Sequence, residues 1–354
     1  MSRYLKESFR ALCEYTPGEQ PKDGEYIKLN TNESPFPPAP SVLETLSRKD
    51  IENLRLYSDP TMSVLKSKLA KLYSVESENI YLSNGSDDIL NFAFMAFGHK
   101  GAIFPEITYG FYSVFAELHG IEYEAVPLRE DFTVDYKDYL NKDKLIVIAN
   151  PNAPTGNLRP LWEIEEIIKS NPDSVVVIDE AYVDFGGESA YPLTHKADTL
   201  LVVRTFSKSR CMAGARLGYA IASKGIISDL EKIKYSTNPY NINRLTATLG
   251  EATVDAEEYY MEKCKEIIRV REYTTEKLEA MGFEVLPSCA NFVFARHSGY
   301  DGEKLYLELK ARHILVRHFS NPKINQFNRI TIGTQEHMDK MLGALDDILK
   351  GDTL

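Results

Sequence analysis

Cysteine is scarce in this chain, and the four present are scattered. Cys13, Cys211, Cys264 and Cys289 form no C-x-x-C pair, and no histidine stands at metal-ligand spacing. That pattern excludes a disulfide framework and a zinc site, and reads as a reduced, cytoplasmic protein with no metal. Positive charge is also short: 41 Lys and Arg face 52 Asp and Glu, a net charge of −11. Nucleic acid is therefore not the expected partner. Met1 to Arg10 is polar and charged without the apolar stretch of a leader, and no apolar run approaches a membrane span. Repeats and low-complexity tracts are missing as well. What remains is a 354-residue chain, 43% hydrophobic, enough for a sizeable core and one or two domains.

Two segments carry chemistry. In Arg204-Thr-Phe-Ser-Lys-Ser-Arg-Cys-Met-Ala-Gly-Ala-Arg-Leu-Gly-Tyr219, a short strand, Leu200 to Val203, runs into a polar loop with one lysine, Lys208. An amine that must attack a carbonyl needs a rigid strand end and partial desolvation. Thr205, Ser207, Ser209 and Arg216 supply donors of the kind a dianionic phosphate requires. Amine and phosphate cradle together suggest pyridoxal phosphate, while Cys211 nearby reads as packing. Upstream, Ser174-Val-Val-Val-Ile-Asp-Glu-Ala-Tyr-Val-Asp-Phe185 is an apolar strand of the parallel-sheet type that ends on Asp179. A pyridine cofactor withdraws electrons only while its ring nitrogen stays protonated, and a facing Asp keeps it so. Tyr182, three residues on, is within reach of the neighbouring ring hydroxyl.

From about residue 41 to 240, strands and helices alternate. Helical spacing covers Met62 to Tyr73 and Ile89 to Phe97. Strands are expected at 101–104, 122–126, 145–149, 175–178 and 200–203, predicting an α/β domain with a mostly parallel sheet flanked by helices. From about 241 the texture changes to long charged helices, 252–281 and 302–312, with strands at 292–294, 314–316 and 329–332 and a last helix over 336–350. That predicts a smaller α+β domain. The Pro-rich stretch Ser34-Pro-Phe-Pro-Pro-Ala-Pro40 is too extended for a helix and is expected to strap an N-terminal arm over the body.

Further segments complete a resemblance. Glu14-Tyr-Thr-Pro-Gly18, Leu29 to Pro38 (LNTNESPFPP), Tyr57-Ser-Asp-Pro60, Leu82-Ser-Asn-Gly-Ser-Asp-Asp-Ile89 and Pro105-Glu-Ile-Thr-Tyr-Gly110 occur in that order. They are followed by Asn150-Pro-Asn-Ala-Pro-Thr-Gly156, the Asp179 strand, the Lys208 loop, Ala290-Asn-Phe-Val-Phe294 and Arg329-Ile-Thr-Ile-Gly-Thr334. Over nearly its whole length the chain resembles the fold-type I, pyridoxal-phosphate-dependent aminotransferases, and among them the histidinol-phosphate branch, which serves histidine biosynthesis. The resemblance implies a large domain over 41–240, with 1–40 joining 241–354 in the smaller one, and a homodimer with shared active sites.

The resemblance also distributes roles. Lys208 holds the cofactor and moves the substrate proton, Asp179 faces the ring nitrogen, and Tyr182 the ring hydroxyl. Gly85, Ser86 and Asp87 bind the cofactor phosphate at a helix start, although the same residues would also make a plain turn and N-cap. Tyr109 stacks on the cofactor ring, and Tyr57 reaches the phosphate of the partner's site. The family has Asn just before Pro-Thr-Gly; here that position is Ala153, so either Asn152 takes its place or Tyr182 holds the hydroxyl alone. Arg329, Arg317 and Tyr15 receive the substrate's phosphate, and the same arginines the carboxylate of glutamate, with 2-oxoglutarate as amino acceptor. Three other outcomes stay open: an aromatic or broad-specificity aminotransferase, a threonine-phosphate decarboxylase, and a cofactor-binding regulator. The last lacks a helix-turn-helix stretch here.

Overall fold

The computed structural model describes residues 2–351 except 11, 13, 14 and 23. Cys13 and Glu14 lie outside the described residues. Setting aside single-turn helices and one two-residue strand pair, the first part of the chain runs β1 (Ile80–Ser83), β2 (Ala102–Pro105), β3 (Tyr123–Val126), β4 (Leu145–Ala149), β5 (Val176–Asp179), β6 (Leu200–Thr205) and β7 (Gly218–Ala222). These make one seven-stranded sheet in the order β1-β7-β6-β5-β4-β2-β3. Only β7 is antiparallel to its neighbours, so the other strands all end on one edge of the sheet.

Both faces of the inner strands are covered, which is why those strands are largely apolar, whereas the edge strand β3 is mostly exposed. Val177, Leu201 and Val203 pack with Phe94 of α2 (Ser86–Phe97), Phe115 of α3 (Phe111–His119) and Leu230 of the helix Lys224–Thr237. The alternate residues Val176, Ile178 and Val202 pack with Ile164 and Ile167 of the helix Leu161–Ser170. Such two-sided burial is typical of parallel sheets. Strands β1 and β7 carried no expectation. The helices expected at 62–73 and 89–97 span Ser63–Tyr73 and Ser86–Phe97.

Beyond residue 241 the chain departs from the expected pattern: an unexpected strand, Phe283–Val285, is present, and two expected elements are divided. The helix expected over 252–281 is two helices, Arg244–Asp255 and Glu257–Ala280, broken at Ala256. The strand expected over 314–316 is split between two sheets. Ile314–Leu315 pairs in parallel with Ile27–Lys28 of the N-terminal arm, while Arg317–His318 edges an antiparallel sheet with Asn328–Thr331, Phe292–His297 and Phe283–Val285. The register of that sheet sets Arg317 opposite Arg329. The Pro-rich strap crosses the helix Glu257–Ala280, where the Tyr260 hydroxyl accepts from Ala39 N (3.1 Å) and the Tyr259 hydroxyl donates to the Pro37 carbonyl (3.2 Å). No helix among the described residues is long and apolar enough to cross a membrane.

One buried ion network anchors the end of β6. Asp184 accepts from Arg204, from Arg210 Nη1 (3.1 Å) and from Ser209 Oγ (2.6 Å), and Arg210 Nη2 reaches Glu257 (2.8 Å). Burial works to raise the Asp184 pKa, but the two guanidinium charges and these hydrogen bonds outweigh it and hold the carboxyl well below its usual range. Removing one member of such a cluster strands buried charge at a cost of roughly 3–5 kcal/mol. Asp184→Ala should therefore lower stability by about that amount, read from urea melts. A depressed carboxyl stabilises the fold above its unfolded pKa near ~4 and loses that contribution as the pH falls. The gap between wild type and variant should accordingly narrow in acid.

Candidate active site

The C-terminal edge of the parallel strands opens on a cavity of about 480 Å³. Asp179 ends β5 and Thr205 ends β6, and Lys208 leaves the loop after β6 to enter the same space. Asp179 is buried; Oδ2 accepts from the Tyr112 hydroxyl (2.8 Å) and Oδ1 from Ala181 N (3.2 Å). None of the ion pairs among the described residues includes it. Burial pushes its pKa up to about 6, as expected of a carboxylate still without a cationic partner. The Lys208 ammonium donates to the Thr31 carbonyl (3.2 Å) and stands 5.8 Å over the Tyr182 ring. Loss of hydration, and next the charge of Arg329, bring its pKa down to about 8.

At the far end of the cavity two glycines shape a cradle. Gly85 caps α2 at φ +82°, a backbone state that favours glycine. A Cβ on Gly218 would lie 2.4 Å from the Gly85 carbonyl carbon, and one on Gly85 would lie 2.7 Å from Arg216 Nη2. The first-turn N–H groups of α2 lack intrahelical partners and meet the Arg216 guanidinium here, a ready site for a phosphate. The Asp87 side chain does not face the anion as a donor. It fixes the surroundings instead, accepting from Arg216 Nη2 (2.8 Å) and from the Tyr109 hydroxyl (2.8 Å).

Ser86, Asp87, Tyr109, Tyr182, Thr205, Ser207 and Arg216 line this cavity, as the sequence led us to expect; Ser209 turns away to Asp184. Asn152 is a correction. Its amide nitrogen donates to the Ile107 carbonyl and to Thr155 Oγ1 (3.0 Å each), and its oxygen accepts from Thr108 (2.8 Å). It is fully engaged below the cavity floor, and Ala153 is the residue that lines the cavity. Tyr57 is also absent from this cavity: it is 78% exposed and stacks on Tyr240 at 4.5 Å.

A second cavity of about 410 Å³ shares Thr31, Tyr109, Ala153, Tyr182 and Lys208 with the first and brings in Tyr15, Arg317 and Arg329. Tyr15 stacks on Phe111 at 4.3 Å. Arg317 donates to the carbonyls of Thr16 (2.9 Å) and Pro17 (3.2 Å), and Arg329 to that of Asn30 (3.0 Å). Both guanidiniums stand 5.7 Å from the Phe319 ring. Arg329 Nε is buried without a partner, and burial lowers its pKa. Sequence reasoning missed Tyr112, Phe319 and the Thr31 carbonyl. Tyr112 looks like any helical core aromatic, and a carbonyl leaves no trace in a residue pattern. As a whole the site can hold a flat aromatic aldehyde with a protonated ring nitrogen and a phosphate, beside a second anion.

Residues 24–345 match the family model "Aminotransferase class I and II". The histidinol-phosphate aminotransferase of Brachyspira hyodysenteriae is 49% identical over 99% of this chain and 100% of its own length. The chain belongs to the class I and II aminotransferases. Histidinol-phosphate aminotransferase 1 of Hydrogenovibrio crunogenus is 48% identical over 99% of both chains, which places this aminotransferase in the histidinol-phosphate aminotransferase family. The fold agrees. The Clostridium acetobutylicum histidinol-phosphate aminotransferase superposes with a TM-score of 0.85 at 27% identity, covering 92% of this chain and 99% of its own. The Sinorhizobium meliloti enzyme, solved with pyridoxal-5'-phosphate, superposes with a TM-score of 0.88 at 23% identity over 100% of this chain and 99% of its own.

Because a free amine attacks an aldehyde only when unprotonated, capture of added pyridoxal phosphate by the ligand-free aminotransferase should speed up as the pH rises through about 8. Arg329→Gln removes a positive neighbour and should move that midpoint upward. Lys208→Ala should abolish capture, and borohydride should label the Lys208 peptide. A pH-independent rate, or label on another lysine, would contradict the assignment.

Proposed function

We propose that this aminotransferase moves the amino group of L-histidinol phosphate to 2-oxoglutarate, giving imidazole acetol phosphate and glutamate in histidine biosynthesis. The observation that carries the reading is Arg329, a half-buried side chain with one protein hydrogen bond, a buried and unpartnered Nε and no ion pair among the described residues. An arginine desolvated in this way calls for an anion, and the facing Arg317 and Tyr15 suit a dianion. The names of the relatives at 48–49% identity point the same way.

The cavity residues fit pyridoxal phosphate as the cofactor, which when bound supplies the electron sink that acidifies the substrate's Cα–H bond. The α2 N-terminus, Thr205, Ser207 and Arg216 would hold its phosphate, and Tyr109 would offer its ring to the cofactor's own ring. Asp179, fixed by Tyr112 and Ala181 N, would keep the ring nitrogen charged, while Tyr182 would donate to the ring hydroxyl. Lys208 would hold the cofactor by its aldehyde, and its amine, once free, would be placed to take up and give back a proton at the substrate's Cα. Arg329 and Arg317 bind the phosphate of one substrate and a carboxylate of the other.

The reading includes a cytoplasmic homodimer in which Tyr57, exposed on its own subunit, completes the partner's phosphate cradle. A second reading shares the phosphate contacts. An L-threonine-O-3-phosphate decarboxylase from Porphyromonas gingivalis has the same fold, with a TM-score of 0.79 at 22% identity, and a phosphorylated amino acid would suit the same two arginines.

An amino-donor panel tests the assignment. Histidinol phosphate should support turnover and histidinol should be poor, while threonine phosphate should release no CO2. Arg329→Ala should lower kcat/KM for histidinol phosphate by about 30- to 150-fold, corresponding to the loss of one charge-assisted contact of about 2–3 kcal/mol. It should also harm the glutamate half-reaction, whereas Arg317→Ala should harm mainly the phosphorylated donor. Equal use of histidinol and histidinol phosphate by the wild type would favour a broad aromatic aminotransferase.

The dimer has its own test. Mixing Tyr57→Phe with Lys208→Ala protein, each impaired alone, should restore activity through hybrid dimers that contain one intact site. An active monomer in light scattering would refute site sharing.

A further inference from the structure

Asn32 is buried on the arm at φ +56°, between Thr31, whose carbonyl takes the Lys208 ammonium, and Glu33. Its Nδ2 lies 2.9 Å from the Tyr182 hydroxyl, and its Oδ1 lies 3.0 Å from Thr331 Oγ1. The Asn32 backbone N–H also donates to Thr331 Oγ1 (3.0 Å), and Asn291 Nδ2 donates to the Asn32 carbonyl (3.0 Å). Both side chains that flank the Asn32 amide are hydroxyls, so counting protons sets the direction of every bond.

A threonine hydroxyl has one proton. The Thr331 oxygen already receives the Asn32 backbone N–H, so its own proton goes to the remaining neighbour, the Asn32 side chain. That neighbour must be an acceptor, which turns Oδ1 toward Thr331 and Nδ2 toward Tyr182. The opposite rotamer would press NH2 against a hydroxyl that already accepts and would strand a buried proton. Tyr182 therefore receives a hydrogen bond from Asn32, and its own proton cannot point back along that line. It has no second hydrogen-bond partner among the described residues, and it lines both cavities, that of the cofactor and the adjoining one with Arg329. Burial raises the Tyr182 pKa and keeps it a neutral donor. On the same flank Ala153 offers only a methyl group and Asn152 is turned away, so this donor is the one available there.

We propose that Asn32 is a positioning residue whose amide, oriented by Thr331, directs the Tyr182 proton into the cavity toward the cofactor's ring hydroxyl. The inference rests on the assignment of Tyr182 to that hydroxyl. It also explains why the position needs Asn. Aspartate has the same shape but only accepts, so it would draw the Tyr182 proton out of the cavity.

The test is the pH midpoint of the bound cofactor's visible absorption in the holoenzyme. A donor to the ring oxygen favours its anionic form and holds the midpoint down. Tyr182→Phe should raise it by about 1 to 2 pH units, the shift equivalent to one hydrogen bond to a charged oxygen. Asn32→Asp should raise it by a similar amount, and Thr331→Val, which frees the amide to turn over, by less. In the Tyr182→Phe background, Asn32→Asp should add little, because its route to the cofactor is gone. If Tyr182→Phe leaves the midpoint unchanged, the assignment of Tyr182 fails. If Tyr182→Phe shifts it but Asn32→Asp and Thr331→Val do not, or if Asn32→Asp shifts it equally in both backgrounds, the role of Asn32 is refuted. Should Asn32→Asp not fold, Thr331→Val alone decides: a raised midpoint supports the role and an unchanged one overturns it.

Discussion

Asp184 holds the Lys208 loop from below. Arg204, just before the loop, and Ser209 and Arg210, just after the lysine, converge on this one carboxylate. Lys208 is thus fixed on both sides while its own side chain points the other way, into the cavity. A lysine on a free surface loop would keep its hydration and its proton; a lysine held at the end of a buried strand loses much of the first and part of its hold on the second. The polar network under the floor pairs Arg204 and Arg210, the charged groups that flank the lysine in sequence, and leaves the Lys208 amine out of it.

The two parts of the site come from two kinds of architecture. The cofactor side is built from the ends of parallel strands, where successive β-strands deliver Asp179 and the Lys208 loop side by side. The substrate side is built from an antiparallel register that sets Arg317 against Arg329, together with an arm that reaches back from the N-terminus. That arm is tied in place through the pairing of Ile27–Lys28 with Ile314–Leu315. Asn32 can therefore meet Thr331, 299 positions away in sequence, and Thr31 can meet Lys208, 177 positions away.

This division accounts for what could be read from the amino-acid order. Strand ends with a carboxylate or a lysine are local patterns, so Asp179, Lys208, Arg216 and the alternation around them were readable. The helix break at Ala256 and the split of 314–318 between two sheets were not, since both depend on what packs alongside. Asn152 shows the limit most clearly. Its type and position suited a cofactor contact, yet three hydrogen bonds to Ile107, Thr155 and Thr108 decide where it points, and none of them is visible from its neighbours in the chain. Asn32 is the converse: it lay within a recognisable motif, but its partners only assemble in the folded protein.

The nearness of Arg329 to Lys208 has one more consequence. The guanidinium proposed to take the substrate's anion is among the charges that hold the lysine's pKa down. An anion seated on Arg329 cancels part of that influence, so in the state where the amine is free, ligand binding and proton uptake at Lys208 are linked. The empty pocket favours a neutral nucleophile and the filled pocket a stronger base, and a single arginine carries the signal between them.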